Sequence, residues 1–139
     1  MIQQVTQVLM VATLSLTGFV AGNFLLSWNQ KKLKKERQGE NFTTFMTYFS
    51  EKEVPENVCF QVYSYLQNSD IKLHDFPIRP TDDLGKVYGI CEEDLDEAVL
   101  EIARNCGCPI LNINNNRELT SVKTVEDLVR FLINFQRVI

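Results

Sequence analysis

At 139 residues and 45% apolar content, the chain is long enough for one folded domain and an appendage, and wholesale disorder is excluded. Its net charge of −4 divides unevenly: residues 1–50 carry five Lys or Arg against two Glu, a net of +3, whereas residues 51–139 carry nine against sixteen, a net of −7. The acidic part opposes nucleic-acid binding, and the two parts face different surroundings.

Val5 to Trp28 contains no charged residue, a length that at about 1.5 Å per residue crosses a hydrocarbon core of about 30 Å. This predicts a transmembrane helix within residues 1–30. Lys31, Lys32, Lys34, Lys35 and Arg37 follow Trp28 at once, and a basic cluster beside a span stays on the cytoplasmic side. The expected topology is single-pass, with the N-terminus outside and the C-terminal domain cytoplasmic. A cleaved signal peptide, cut near Val20-Ala21-Gly22, is the rival reading; the missing positive n-region and the basic run downstream oppose it. Gly18 and Gly22 form a GxxxG pair that would let two helices approach closely, a candidate homodimer contact.

Residues 31–53 read as a basic juxtamembrane segment and linker. Phe42, Phe45, Met46 and Phe49 would share one side of a short helix starting after Asn41, lying either on the membrane or on the following domain. Residues 54–139 read as the folded domain. Pro55 suits a first helical turn, and Val58, Val62, Tyr65 and Leu66 repeat as an apolar face until Asn68, Ser69 and Asp70 end the pattern. A loop of about twenty residues is expected next. In it Leu73, Phe76, Ile78 and Leu84 insert singly into the core, Asp82-Asp83 turn, and Gly89 bends the chain.

The second helix of this domain is the best marked. Leu95, Ala98, Val99, Ile102 and Cys106 form an apolar stripe, Glu92, Glu93, Asp94 and Asp96 crowd the positive end of its dipole, and Gly107 with Pro109 stops it. Ile110 to Leu119, with Asn114, Asn115 and Asn116 in sequence, predicts turns and at most one short helical turn. Thr124-Val125-Glu126-Asp127 opens a last helix with Val125, Leu128, Leu132 and Phe135 inward. The fold class is therefore all-α.

Ile78-x-Pro80-x-Asp82-Asp83-Leu84, Tyr88-Gly89-Ile90, Leu95-Asp96, Ala98-Val99, Cys106-Gly107 and Lys123-Thr124-Val125-Glu126-Asp127 occur in an order and spacing that resemble the acyl carrier protein family. They also resemble bacterial acyl-carrier-like proteins of unassigned function. The resemblance covers roughly residues 54–136 and implies a three- or four-helix bundle. In carriers a serine after the bend is esterified by phosphopantetheine; here Glu92 or Asp94, depending on register, holds that place, and neither supplies a hydroxyl. The expectation is no cofactor and no carrier chemistry.

What the resemblance retains is a docking helix offered to basic enzyme surfaces, such as those of lipid or acyl metabolism. Its candidate residues are Asp82, Asp83, Glu93, Asp94, Asp96, Glu97 and Glu101, an acidic field that speeds encounter with a basic protein partner. Cys106-x-Cys108, with Cys59, Cys91 and His74 elsewhere, lacks a second spaced pair, so buried reduced thiols are expected rather than a metal site. No residue carries a catalytic motif. The overall expectation is a membrane-anchored, non-catalytic docking or regulatory module. The alternatives are an acyl carrier modified at a non-standard position and an accessory subunit of a membrane complex.

Overall fold

The computed structural model describes residues 2–68, 74–108 and 117–137. All regular elements among them are helical: α1 (Ile2–Glu36), α2 (Phe42–Ser50), α3 (Glu56–Asn68), α4 (Leu84–Tyr88), α5 (Glu92–Asn105) and α6 (Val125–Arg137), with a short 3-10 turn at Arg117–Ser121. The expectations for Ser69, Asp70, Leu73, Pro109, Ile110 to Asn116 and the Phe135 side chain lie outside the described residues.

Among the described residues α1 is the one helix long and apolar enough to cross a membrane, and none of its most apolar window is buried in the fold. It does not end where the apolar run ends. The basic run continues as helix to Glu36, and its last three turns pack on the domain. Gln30 is 3% exposed and donates from Nε2 to the Val87 carbonyl at 2.9 Å. Leu33 packs against the core.

α2 is capped by Asn41, whose side chain accepts from the Thr43 and Thr44 amides while the Thr44 hydroxyl accepts from the Asn41 amide. Its aromatic side settles the choice between membrane and domain. Phe45 and Phe49 are each 1% exposed, and Phe45 meets the Tyr63 ring of α3 at 5.3 Å. Burying a side chain of this size contributes about 1.5–3 kcal/mol. Residues 31–53, expected as a juxtamembrane linker, therefore contribute to the core.

α3, α5 and α6 pack on one another. Val58, Val62 and Leu66 of α3 face Val99 and Ile102 of α5 and Val125, Leu128 and Leu132 of α6 within one continuous core. The Thr124–Asp127 start of α6 is a reciprocal cap: Asp127 Oδ2 accepts from the Lys123 and Thr124 amides, and Thr124 Oγ1 accepts from the Asp127 amide.

α4 corrects the expected long loop. Asp83 caps it, with Oδ1 accepting from the Lys86 amide at 2.8 Å, and Gly89 ends it at φ +69, a left-handed conformation that glycine takes without a Cβ penalty. Five helical residues are too few for a periodic signal to stand out. An antiparallel bridge between Asp83 and Thr124 ties this segment to the start of α6.

Candidate functional site

Two features stand out, a buried ionic cluster and an acidic helix face. The cluster centres on Asp82, which is 4% exposed. Arg37 binds it as a fork, Nη2 to Oδ1 at 2.6 Å and Nη1 to Oδ2 at 2.8 Å. Tyr88 donates its hydroxyl to Oδ2 at 2.7 Å and the Arg79 amide donates to the same oxygen at 2.9 Å. Arg37 also donates to the Pro77 carbonyl at 3.0 Å, and its Nε is a buried donor without a hydrogen-bond partner among the described residues. Burial, followed by the adjacent Asp82 charge, holds the Tyr88 hydroxyl far above the usual phenol range.

Two expectations are corrected here. Asp82, placed with the partner-contacting acids, is sequestered by this cluster. Arg37, grouped with the topology-setting cations, is 6% exposed and inside the fold. Lys31, Lys32 and Lys35 stay exposed; Lys34 is half-buried and donates to the His74 carbonyl. Lys32 sits over Trp28, 5.9 Å from the ring centroid. A second exposed pair, Arg79 with Glu40, holds the turn after α1, and Arg79 keeps the Glu40 carboxyl below its usual range.

The acidic face follows from the register of α5. Leu95, Ala98, Val99, Ile102 and Ala103 are buried, so Glu93, Asp94, Glu97 and Glu101 point to solvent. Asp96 is half-buried at the edge of that face, and Asp83 is half-buried and committed to capping α4. The helix dipole accounts for acids in the first turn, Glu92 to Asp94. It does not account for Glu97 and Glu101, which lie beyond that turn. Glu93 with Glu97, and Glu97 with Glu101, are like-charge pairs at four-residue spacing, each costing about 0.2–0.5 kcal/mol. None of Glu93, Asp94, Glu97 and Glu101 makes an ion pair among the described residues.

Of the two residues that the resemblance aligns with the carrier serine, Glu92 is engaged and Asp94 is exposed. Glu92 accepts from Lys123 Nζ at 2.7 Å, which joins the start of α5 to the entry of α6; the lysine lowers the Glu92 pKa. Beside it lies a cleft of about 200 Å³ lined in part by Leu84, Ile90, Cys91 and Leu95.

Gly18 and Gly22 have open space where a Cβ would stand. Cys59 and Cys108 are buried and Cys106 half-buried, while Cys91, expected to be buried with them, is exposed at the bend. No group of His, Cys, Asp or Glu among the described residues could hold a metal ion. Sequence reasoning missed Tyr88, Gln30 and Lys123, whose roles depend on contacts between distant segments.

Comparison with protein-family models, curated proteins and solved structures returns no match for this chain.

Proposed function

We propose that the protein is a membrane-anchored, non-catalytic docking module in which α1 spans the bilayer and an acyl-carrier-like bundle presents α5 to a basic protein surface. The observation that carries this reading is the row Glu93, Asp94, Glu97 and Glu101, solvent-facing, mutually repulsive and without ion pairs among the described residues. A basic partner would relieve that repulsion and be steered by the field. The order of α3, α4, α5 and α6, with the glycine bend before the acidic helix, supports an acyl-carrier-like arrangement. Glu92, tied to Lys123, offers no hydroxyl for a prosthetic arm. The basic residues that follow Trp28 on the same helix support an outward N-terminus and a cytoplasmic domain.

The test is a photoreactive residue at Glu97 in the full chain, irradiated in native membranes. The reading expects one discrete adduct whose yield falls as salt rises. A yield indifferent to salt would contradict it.

A further inference from the structure

We propose that the turn after α1 forms a binding site for the phosphate of an anionic lipid headgroup. Lys31, Lys34, Lys35 and Arg37 line a cleft of about 500 Å³ completed by Gln38, Gly39, Glu40, Asp75 and Pro77. Its size is within the range of small-ligand sites, roughly 300–1,000 Å³. Lys31, Lys34 and Lys35 fall at three- and four-residue steps and so share one side of α1.

The charge of this cleft survives its internal pairings. Arg37 is neutralised by Asp82, and Glu40 by Arg79, which stands outside the cleft. Among the described residues that leaves three ammonium groups against one carboxylate, Asp75. The Lys34 ammonium spends one donor on the His74 carbonyl and keeps two others. Favourable placement near a helix C-terminus explains Lys34 and Lys35 in the last turn. It does not explain Lys31, which lies more than a turn from Glu36, or the concave wall that the 38–40 turn and Pro77 build beside the cations.

Height along the helix selects the ligand, an inference that rests on α1 spanning the bilayer. With Trp28 at the edge of the hydrocarbon, Lys31 stands about 4.5 Å and Lys35 about 10.5 Å beyond it at 1.5 Å per residue. The headgroup layer extends roughly 5–7 Å on each side, so the lysine stems reach it. A free phosphate anion presents the same oxygens, and the experiment separates the two sources.

The purified full chain in a neutral detergent is mixed with phosphatidylglycerol or phosphatidylcholine and examined by native mass spectrometry. The proposal expects one phosphatidylglycerol per chain, retained preferentially. Lys31→Gln/Lys35→Gln, which removes two exposed side chains that make no hydrogen bond or ion pair among the described residues, reduces that adduct roughly tenfold. The charge-matched control Lys32→Gln/Lys86→Gln leaves it within about twofold. Equal loss in both pairs would reduce the effect to diffuse attraction and overturn the site, as would equal retention of the two lipids. Inorganic phosphate retained in lipid-free detergent would overturn the lipid assignment. Alkaline extraction of native membranes reports separately on whether α1 is an anchor, so failure there is distinguishable from failure of the cleft.

Discussion

Arg37, at the end of the long apolar and basic helix, closes a two-point ion pair on Asp82, 45 residues away and 4% exposed. The cation that sequence places beside a membrane thus completes the interior of the domain. Removing one member of a buried pair leaves the other charged and unpaired, at a cost of about 3–5 kcal/mol. Asp82→Ala should be the worse of the two changes, since Tyr88 and the Arg79 amide lose their acceptor as well. Thermal unfolding of the full chain in detergent, followed by circular dichroism, measures both. The double change Arg37→Met/Asp82→Leu should destabilise by clearly less than the sum of the two single losses.

Truncation separates the exposed apolar stretch of α1 from the turns that pack on the domain. Deleting residues 2–24 keeps Leu26, Gln30, Leu33 and Arg37, and should give a soluble chain that unfolds cooperatively. Deleting residues 1–37 removes the counterion of the buried Asp82 and the side-chain donor to the Val87 carbonyl, and should give aggregation or loss of a cooperative transition. Size-exclusion chromatography with thermal melting distinguishes the outcomes. A soluble, cooperatively unfolding chain without residues 1–37 would mean that the last turns of α1 are dispensable.

Gly89 carries both a backbone and a packing requirement. At φ +69, a Cβ there would stand 3.0 Å from Leu26 Cδ2 of α1, whereas Gly39 at φ +88 has open space around it. Gly39→Ala should cost only the left-handed penalty of about 1–2 kcal/mol. Gly89→Ala should cost about 1 kcal/mol more, and that excess should vanish in the Leu26→Ala background. Parallel melts of the four variants check this.

Much of this fold is legible in the sequence. The stripe Leu95, Ala98, Val99 and Ile102, the stop at Gly107 and the Thr124 start of α6 are local patterns, set by helix periodicity and capping within a few residues. α4 escapes notice because five residues between Asp83 and Gly89 cannot display a period. The fates of Asp82 and Arg37 escape for a different reason: an aspartate in a turn and an arginine in a basic run read as solvated until the chain brings them together. Within the acidic field, exposure of Glu93, Glu97 and Glu101 follows directly from the apolar stripe behind them, whereas the commitment of Asp83 to a cap and of Glu92 to Lys123 depends on neighbours that the linear pattern does not name.

The thiols should react in the order of their exposure. Cys91 is exposed at the bend, while burial pushes the thiols of Cys59 and Cys106 up to about 11. Alkylation of the native chain near neutral pH should modify Cys91 first and leave Cys59 until unfolding; early labelling of Cys59 would contradict the packing of α3. The raised thiol of Cys59 and hydroxyl of Tyr88 also fix a sign. Both are protonated in folded and unfolded chains at neutral pH. As pH climbs past their ordinary values of 9.0 and 10.0, the unfolded chain loses those protons first. Stability should therefore decline above about pH 9, and Tyr88→Phe should lessen the decline above pH 10.

The outer face of α5 is the surface we propose to recognise a basic protein. The most direct measurement compares the full chain with Glu93→Lys/Glu97→Lys in quantitative affinity capture from native membranes, with helicity and melting temperature recorded for both. Loss of one discrete partner by roughly tenfold or more at unchanged helicity is the expected result. Equal capture by the two chains, with the fold intact, would contradict it.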